Sequence, residues 1–350
     1  MSKLRILVTT VGGLTSPDIL KALKNNGERA VELFGVDPFE FAVGRSFVDH
    51  FKVLPYSGSS EKLFVEELFD LAKKLKVDLI VPCGNEDNLA ISRFSSDSPC
   101  PVMVADRDVL VTAYDKGKVY GVLSESLGPH APRHFIVNDY EGFRNAKREL
   151  GFPDQKLVVK PRFGRGGRGV FTLSADLGLK ELFGNKPSSE YSIEFFESLF
   201  ACQKFPVEIL VMEHLSEPFH SVYSLCYEGT QYIAVDHLRE WGSASQTYRG
   251  KIHVDPLAEE IAGQVVSLFN LSFAVNMEFG ISDDGRFVLF DLNPRIAASC
   301  AVDRDIGINF PFLAAKLALG EGVKIDSEHL RLPRRFIRYF DYWWSDNALY

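Results

Sequence analysis

The sequence predicts an α/β and α+β protein: a parallel-sheet domain over residues 1–109, then a mixed region over residues 110–320. Three observations predict it. Apolar runs alternate with amphipathic runs through the first hundred residues, as strands and helices do when helices cover both faces of a parallel sheet. The glycine-rich stretch KPRFGRGGRGVF joins two strand-like runs instead of opening a helix. The run NMEFGISDDGRFVLFDLNPR centres on Asp284-Gly285, a strong hairpin signal.

In chain order, RILVTT is a strand that ends at Gly12-Gly13. SPDILKALKNNG reads as a helix with Ser16 as N-cap, Pro17 at its first position and Gly27 as its stop. ELFGVD is the second strand, KLFVEELFDLAKKLK a helix, VDLIVPCG a buried strand and CPVMV one more. VLVTAYDKGKVYGVLSESLG reads as one helix ending at Gly128. KLVVKPRF and VFTL flank the glycine loop, and residues 184–205 are a polar lead into a helix. VEILVMEHL and SVYSLCYEG are long strands, and DPLAEEIAGQVVSLFNL is a helix. After the hairpin, NFPFLAAKLALG is a helix stopped by Gly320. The aromatic tail, residues 321–350, supplies an edge strand or a subunit contact; Trp343 and Trp344 suit packing better than base stacking.

Composition narrows the function classes. Hydrophobic residues at 46% and charged residues at 25% are ordinary globular values. A net charge of −8 argues against a dedicated nucleic-acid binder. Five scattered cysteines without a CxxC pair suit a reduced, cytoplasmic protein better than a disulfide framework or a zinc site. The apolar run in MSKLRILVTTVGG is short and reads as a strand, not a leader. No apolar run reaches the roughly 18 residues of a membrane span, so no membrane partner is expected.

In the glycine loop, Gly164, Gly166, Gly167 and Gly169 are interleaved with Arg165 and Arg168. Glycines let backbone N–H groups approach phosphate oxygens, and arginines add charge-assisted contacts. A Walker loop needs Lys-Ser or Lys-Thr after its last glycine, whereas Val170 and Phe171 follow here. A flap between two strands, able to fold over a triphosphate, remains. Lys160, set in the apolar run before it, calls for an anionic partner.

A two-residue loop at Asp284-Gly285 pairs Asp283 with Arg286 and sets Glu278 opposite Asp291. Alternation then gives Asn276, Glu278, Asp291 and Asn293 one face, with Met277, Phe279, Val288, Phe290 and Leu292 on the other. Facing carboxylates repel unless a cation lies between them. Glu278, Asp291 and Asn293 are hard oxygen ligands, suited to Mg²⁺ or Mn²⁺ rather than zinc. Arg295 then reaches a phosphate held by that metal.

Together, the two-stranded glycine flap, the upstream lysine, the strand LVMEHL and the hairpin ending in acid-x-Asn-Pro-Arg resemble the ATP-grasp superfamily, in its carbamoyl-phosphate-synthase-like branch of carboxylate–amine ligases. The resemblance spans about residues 1 to 320, with the first domain similar to the Rossmann-like domain that precedes ATP-grasp. It implies that the flap lies in a lid of about residues 130–215, that Lys116 and Lys160 hold the ATP phosphates, and that Gly164 to Gly169 close over them. It further implies that Glu213 and the backbone of Leu215 hold adenine, that Glu278, Asp291 and Asn293 bind two Mg²⁺ ions, and that Arg295 stabilises the phosphoryl group in flight. The implied reaction converts a small carboxylate to an acyl phosphate that an amine attacks. Arg239 is the first candidate for the substrate carboxylate and Arg249 the second, in a Gly/Ser loop over residues 239–250. The ribose acid of the family is replaced by Phe219-His220, which leaves Glu217 or His220 for that contact. Homodimers are the default assembly.

Two other readings compete. A non-catalytic, regulatory ATP-binding protein needs less of a metal site than these residues offer. A nicotinamide enzyme could use Asp37 for a ribose, but TTVGGLTS lacks GxGxxG.

Overall fold

A computed structural model describes residues 3–339, apart from 14, 165, 176, 178–189, 202–204, 206, 244–245, 254 and 326–333, together with Tyr342. The chain divides into two compact units: Met1–Val111 with Ser221–Asn276 and Asn293–Tyr350, and Thr112–His220 with Met277–Leu292.

In the first unit a parallel sheet orders His50–Val53, Val31–Asp37, Leu4–Thr9 and Leu79–Val81. Its strands read as unbroken apolar runs because both faces are covered: Ile6, Val8 and Leu33 pack on one side, Leu7, Phe34 and Ile80 on the other. CPVMV forms only a single bridge, Val102 to Ile80, rather than the expected strand. Ser16 is the first helical residue of Ser16–Lys24 rather than its N-cap, because its hydroxyl is spent on the Thr10 carbonyl at 2.9 Å.

The turn after the first strand is held by buried Asp37, whose carboxylate accepts from the Gly12 N–H at 2.6 Å and the Phe39 N–H at 3.0 Å. That carboxylate is therefore committed to the backbone, against the ribose role of a nicotinamide enzyme. A Cβ at position 12 would lie 2.7 Å from Asp37 Oδ2. Gly12→Ala is expected to cost about 1–3 kcal/mol, read as a lowered urea midpoint.

A six-stranded sheet orders Phe287–Asn293, Phe273–Ile281, Ser216–Tyr227, Thr230–Ser243, Gln246–His253 and Arg334–Ile337. The expected Gly/Ser loop over residues 239–250 is instead mostly two antiparallel strands, with Arg239 opposite Gly250 and Trp241 opposite Arg249. Ser245 lies outside the described residues, as do Trp343 and Trp344. From the tail, Arg334–Ile337 pairs with Gln246–His253 at the sheet edge.

In the second unit a five-stranded sheet orders His134–Val137, Ile209–Glu213, Leu157–Pro161, Phe171–Ser174 and Glu190–Ser192. Phe143, Leu157, Val159, Phe196 and Val211 fill its core. Part of the lead over residues 184–205 lies outside the described residues; the helix within it is Ile193–Phe200.

The single helix expected to end at Gly128 is two helices, Arg107–Ala113 and Lys116–Ser126. Asp115 makes the break: its carboxylate accepts from the Gly117 and Lys118 N–H groups at 3.1 and 3.2 Å, which caps a new N-terminus. The hairpin turn differs too. Ser282 N–H donates to Arg286 O at 3.0 Å and Gly285 N–H to Ser282 O at 2.8 Å, with Gly285 at φ 82°. This is a three-residue loop with a left-handed glycine, not the two-residue turn. Among the described residues no helix is long and apolar enough to cross a membrane.

Candidate functional site

The second unit brings together two lysines and an acid that lie far apart in sequence. Lys116 opens its helix, and its ammonium forms an ion pair with Asp291 Oδ1. Lys160, on the Leu157–Pro161 strand, is 5% exposed and donates to the Tyr120 hydroxyl at 2.5 Å and to the Phe290 carbonyl at 2.9 Å. Burial, and then the like charge of Lys116, lower the Lys160 pKa to about 7, with Asp291 opposing. Burial and the Asp291 charge push the Tyr120 phenol the other way, well above its ordinary value. Glu278 and Asp291 are both half-buried.

The flap is rooted in this group. Arg162 forks onto Asp115, Nε to Oδ1 and Nη2 to Oδ2, both at 2.7 Å, and its Nη1 reaches Glu208 at 2.9 Å. Burial raises the Asp115 pKa, but the Arg162 fork and the helix N–H groups outweigh it and hold the carboxyl below its ordinary value. The Lys116 N–H in turn donates to the Arg162 carbonyl at 3.3 Å. Beyond Arg162 the loop turns through Gly166, Gly167 and Gly169 at φ 62°, 71° and 72°, a region that side-chain-bearing residues rarely adopt. Arg165 lies outside the described residues.

Glu213 is 4% exposed, and both its oxygens are occupied. Arg286 Nη2 donates to each at 2.8 Å; Arg133 donates from its backbone N–H at 2.8 Å and from Nε at 2.9 Å. The Glu213 carboxylate is thus committed to the two arginines, and Leu215 beyond it is buried. His220, an alternative for the ribose, is buried with its ring 5.1 Å from Phe287.

The first unit holds the other candidates. Asn293 Nδ2 donates to Asn276 Oδ1 at 3.4 Å, and Asn276 Nδ2 to Ser221 Oγ at 3.0 Å, so the two asparagines share a face as expected. The Arg295 Nε donates to Asn85 Oδ1 at 2.5 Å. Arg239 donates from Nε to Thr247 Oγ1 at 3.3 Å, whereas Arg249 is exposed and pairs with Glu240.

Sequence reasoning missed Tyr120, Arg162 and Arg286. Tyr120 alone had a signal, four residues beyond Lys116 on one helix face.

A parallel-sheet domain, a second sheet with a glycine flap, and a hairpin that meets two lysines, Lys116 at Asp291 and Lys160 at the Phe290 carbonyl, make a distinctive combination. Residues 205–337 match the family described as ATP-grasp in the biosynthetic pathway with Ter operon. Biotin carboxylase from Campylobacter jejuni, solved with βγ-ATP, superposes with a TM-score of 0.67 at 16% identity over 95% of this chain and 74% of its own. The chain carries the ATP-grasp fold. N5-carboxyaminoimidazole synthetase from Staphylococcus aureus, solved with ADP, shares that ATP-grasp fold at a TM-score of 0.67 and 14% identity, over 92% and 79% of the two chains. In sequence, the ATP-grasp chain is 24% identical to the carbamoyl phosphate synthase large chain of Gemmatimonas aurantiaca over 75% of its length. It spans about a quarter of that relative, 23%.

Proposed function

We propose that the protein is an ATP-dependent carboxylate–amine ligase that releases ADP and phosphate. The observation that carries the reading is the convergence of Lys116, Lys160 and Asp291 beneath the root of a glycine flap, within an ATP-grasp fold. Relatives with this fold that were solved with ADP or βγ-ATP support the nucleotide.

Lys116 and Lys160 hold phosphate oxygens, and the flap glycines Gly164, Gly166, Gly167 and Gly169 cover them. Adenine lies against the backbone at Glu213 and Leu215. The donor set of Glu278, Asp291 and Asn293 fits Mg²⁺, since it offers only hard oxygens, and a cation, the Lys116 ammonium, already sits on Asp291. When bound, two Mg²⁺ ions (Mn²⁺ as a substitute) neutralise charge on the β- and γ-phosphates. Arg239, with Arg249 second, orients the substrate carboxylate, whose oxygen attacks the γ-phosphorus as the bond to ADP breaks. Arg295 takes up the charge spread over the phosphoryl oxygens in flight. The amine then attacks the acyl carbon of the acyl phosphate, phosphate leaves, and the nitrogen loses a proton. The chain's own contribution is positioning and charge, without a covalent enzyme intermediate. Small-molecule substrates, a cytoplasmic setting and a homodimer complete the proposal.

The test is ADP release from Mg-ATP across a panel of amino acids and small carboxylates, with hydroxylamine present to trap acyl phosphate. One carboxylate should trigger both ADP and its hydroxamate. Tight Mg-ATP binding with no ADP release across the panel would replace this reading with a regulatory ATP-binding one.

A further inference from the structure

Tyr120 is 1% exposed, and its hydroxyl belongs to a closed triangle of hydrogen bonds. It donates to the Phe290 carbonyl at 2.5 Å; Lys160 Nζ donates to it at 2.5 Å and to the same carbonyl at 2.9 Å. The Lys160 nitrogen also lies 5.1 Å from the Tyr120 ring centroid and 5.8 Å from that of Phe290. An ammonium has three N–H bonds. The triangle takes two of them, which gives the third a set direction.

A phenol is costly to bury unless its hydroxyl is bonded, and an apolar side chain would fill the same space without that cost. Here the short hydroxyl bonds go to Lys160 and to the carbonyl of Phe290, the residue before Asp291. The helix that begins with Lys116 thus carries, one turn later, the group that grips Lys160.

We propose that Tyr120 is a positioning residue: its hydroxyl pins the Lys160 ammonium to the Phe290 carbonyl and directs the remaining N–H at a phosphate oxygen of the bound nucleotide. This rests on the reading of Lys160 as a phosphate ligand. It goes beyond that reading in assigning the lysine's geometry to a phenol hydroxyl.

The test is a double-mutant cycle read by calorimetric binding of Mg-AMPPNP, which needs no knowledge of the carboxylate. Lys160→Met should weaken binding about 10–100-fold, the size of a hydrogen bond to a charged group. Tyr120→Phe should weaken it about 3–10-fold, the size of a neutral one. The double variant should bind no more weakly than Lys160→Met, because the hydroxyl acts only through the lysine. A purely structural role would multiply the two losses, and that result overturns the proposal, as does wild-type binding by Tyr120→Phe. Wild-type binding by Lys160→Met would instead overturn the phosphate role of the lysine, and the positioning role with it. Tyr120→Leu run through the same cycle gives a second reading of the coupling should the phenylalanine variant fail to fold.

Discussion

Lys160→Met is expected to cut ATP-dependent ADP release roughly 10²–10³-fold, the cost of removing one donor aimed at transition-state charge. The same substitution should stabilise the fold at neutral pH. Burial and the Lys116 charge hold the Lys160 pKa near 7 in the folded chain, against about 10.4 for a free lysine. Between those values the unfolded chain binds a proton that the folded chain does not, so this group's contribution to stability rises with pH and its penalty is full below pH 7. Methionine removes the penalty. From pH 7 to pH 9 the wild type should therefore gain about 2 kcal/mol on the variant. Urea unfolding at both pH values measures it. Parallel pH dependences, together with undiminished ADP release, would show that the lysine is neither buried as described nor part of the site.

Asp303→Ala should be among the most destabilising single changes in the first unit, at about 3–5 kcal/mol. Asp303 and His237 are both fully buried, 0% exposed, with His237 Nε2 2.7 Å from Asp303 Oδ1. Burial raises the Asp303 carboxyl pKa, and the His237 partner opposes the rise. Removing the carboxylate strands the imidazole in an apolar core that includes Tyr223, Cys300 and Phe336. The pair also ties the Ala298–Ile306 segment, which follows Arg295, to the strand that carries Arg239. Paired replacement by leucines should recover much of the loss, since an apolar pair of similar size avoids desolvation altogether. Thermal unfolding of the single and paired variants distinguishes the cases, and an unchanged midpoint in Asp303→Ala would refute the argument.

Period and punctuation made much of the fold legible. Unbroken apolar runs such as RILVTT and VDLIV revealed a covered parallel sheet, and the glycines after KPRF revealed a strand-flanked loop. The errors fall where a polar side chain redirects the backbone. Asp115 ends one helix and caps the next inside an otherwise continuous helical run. Ser282 accepts the Arg286 N–H at 2.9 Å and draws the hairpin into a longer turn than Asp284-Gly285 alone suggests. The strands over residues 239–250 were hidden because Gly242, Ser243 and Ser245 look like loop residues.

Within the candidate site, Lys160 and Asp291 stood out as charges in apolar runs, and Lys116, in the polar stretch YDKGK, only through the family resemblance. What organises them did not. A tyrosine in a helix and arginines beside a loop look like ordinary filling and surface, and only the tertiary fold reveals which acids and carbonyls they meet.

The Arg286 fork has a consequence for how this sequence can drift. Glu213 is buried and accepts from both Arg286 and Arg133, while Arg286 also grips Asp284 and, at 3.1 Å, the Ala131 carbonyl. Losing the acid alone crowds two guanidinium groups together, and losing Arg286 alone frees the hairpin tip and strips Glu213 of one of its two arginine partners. A change at either position is costly while the other stays, so in descendants of this chain the two are expected to be inherited, or replaced, together.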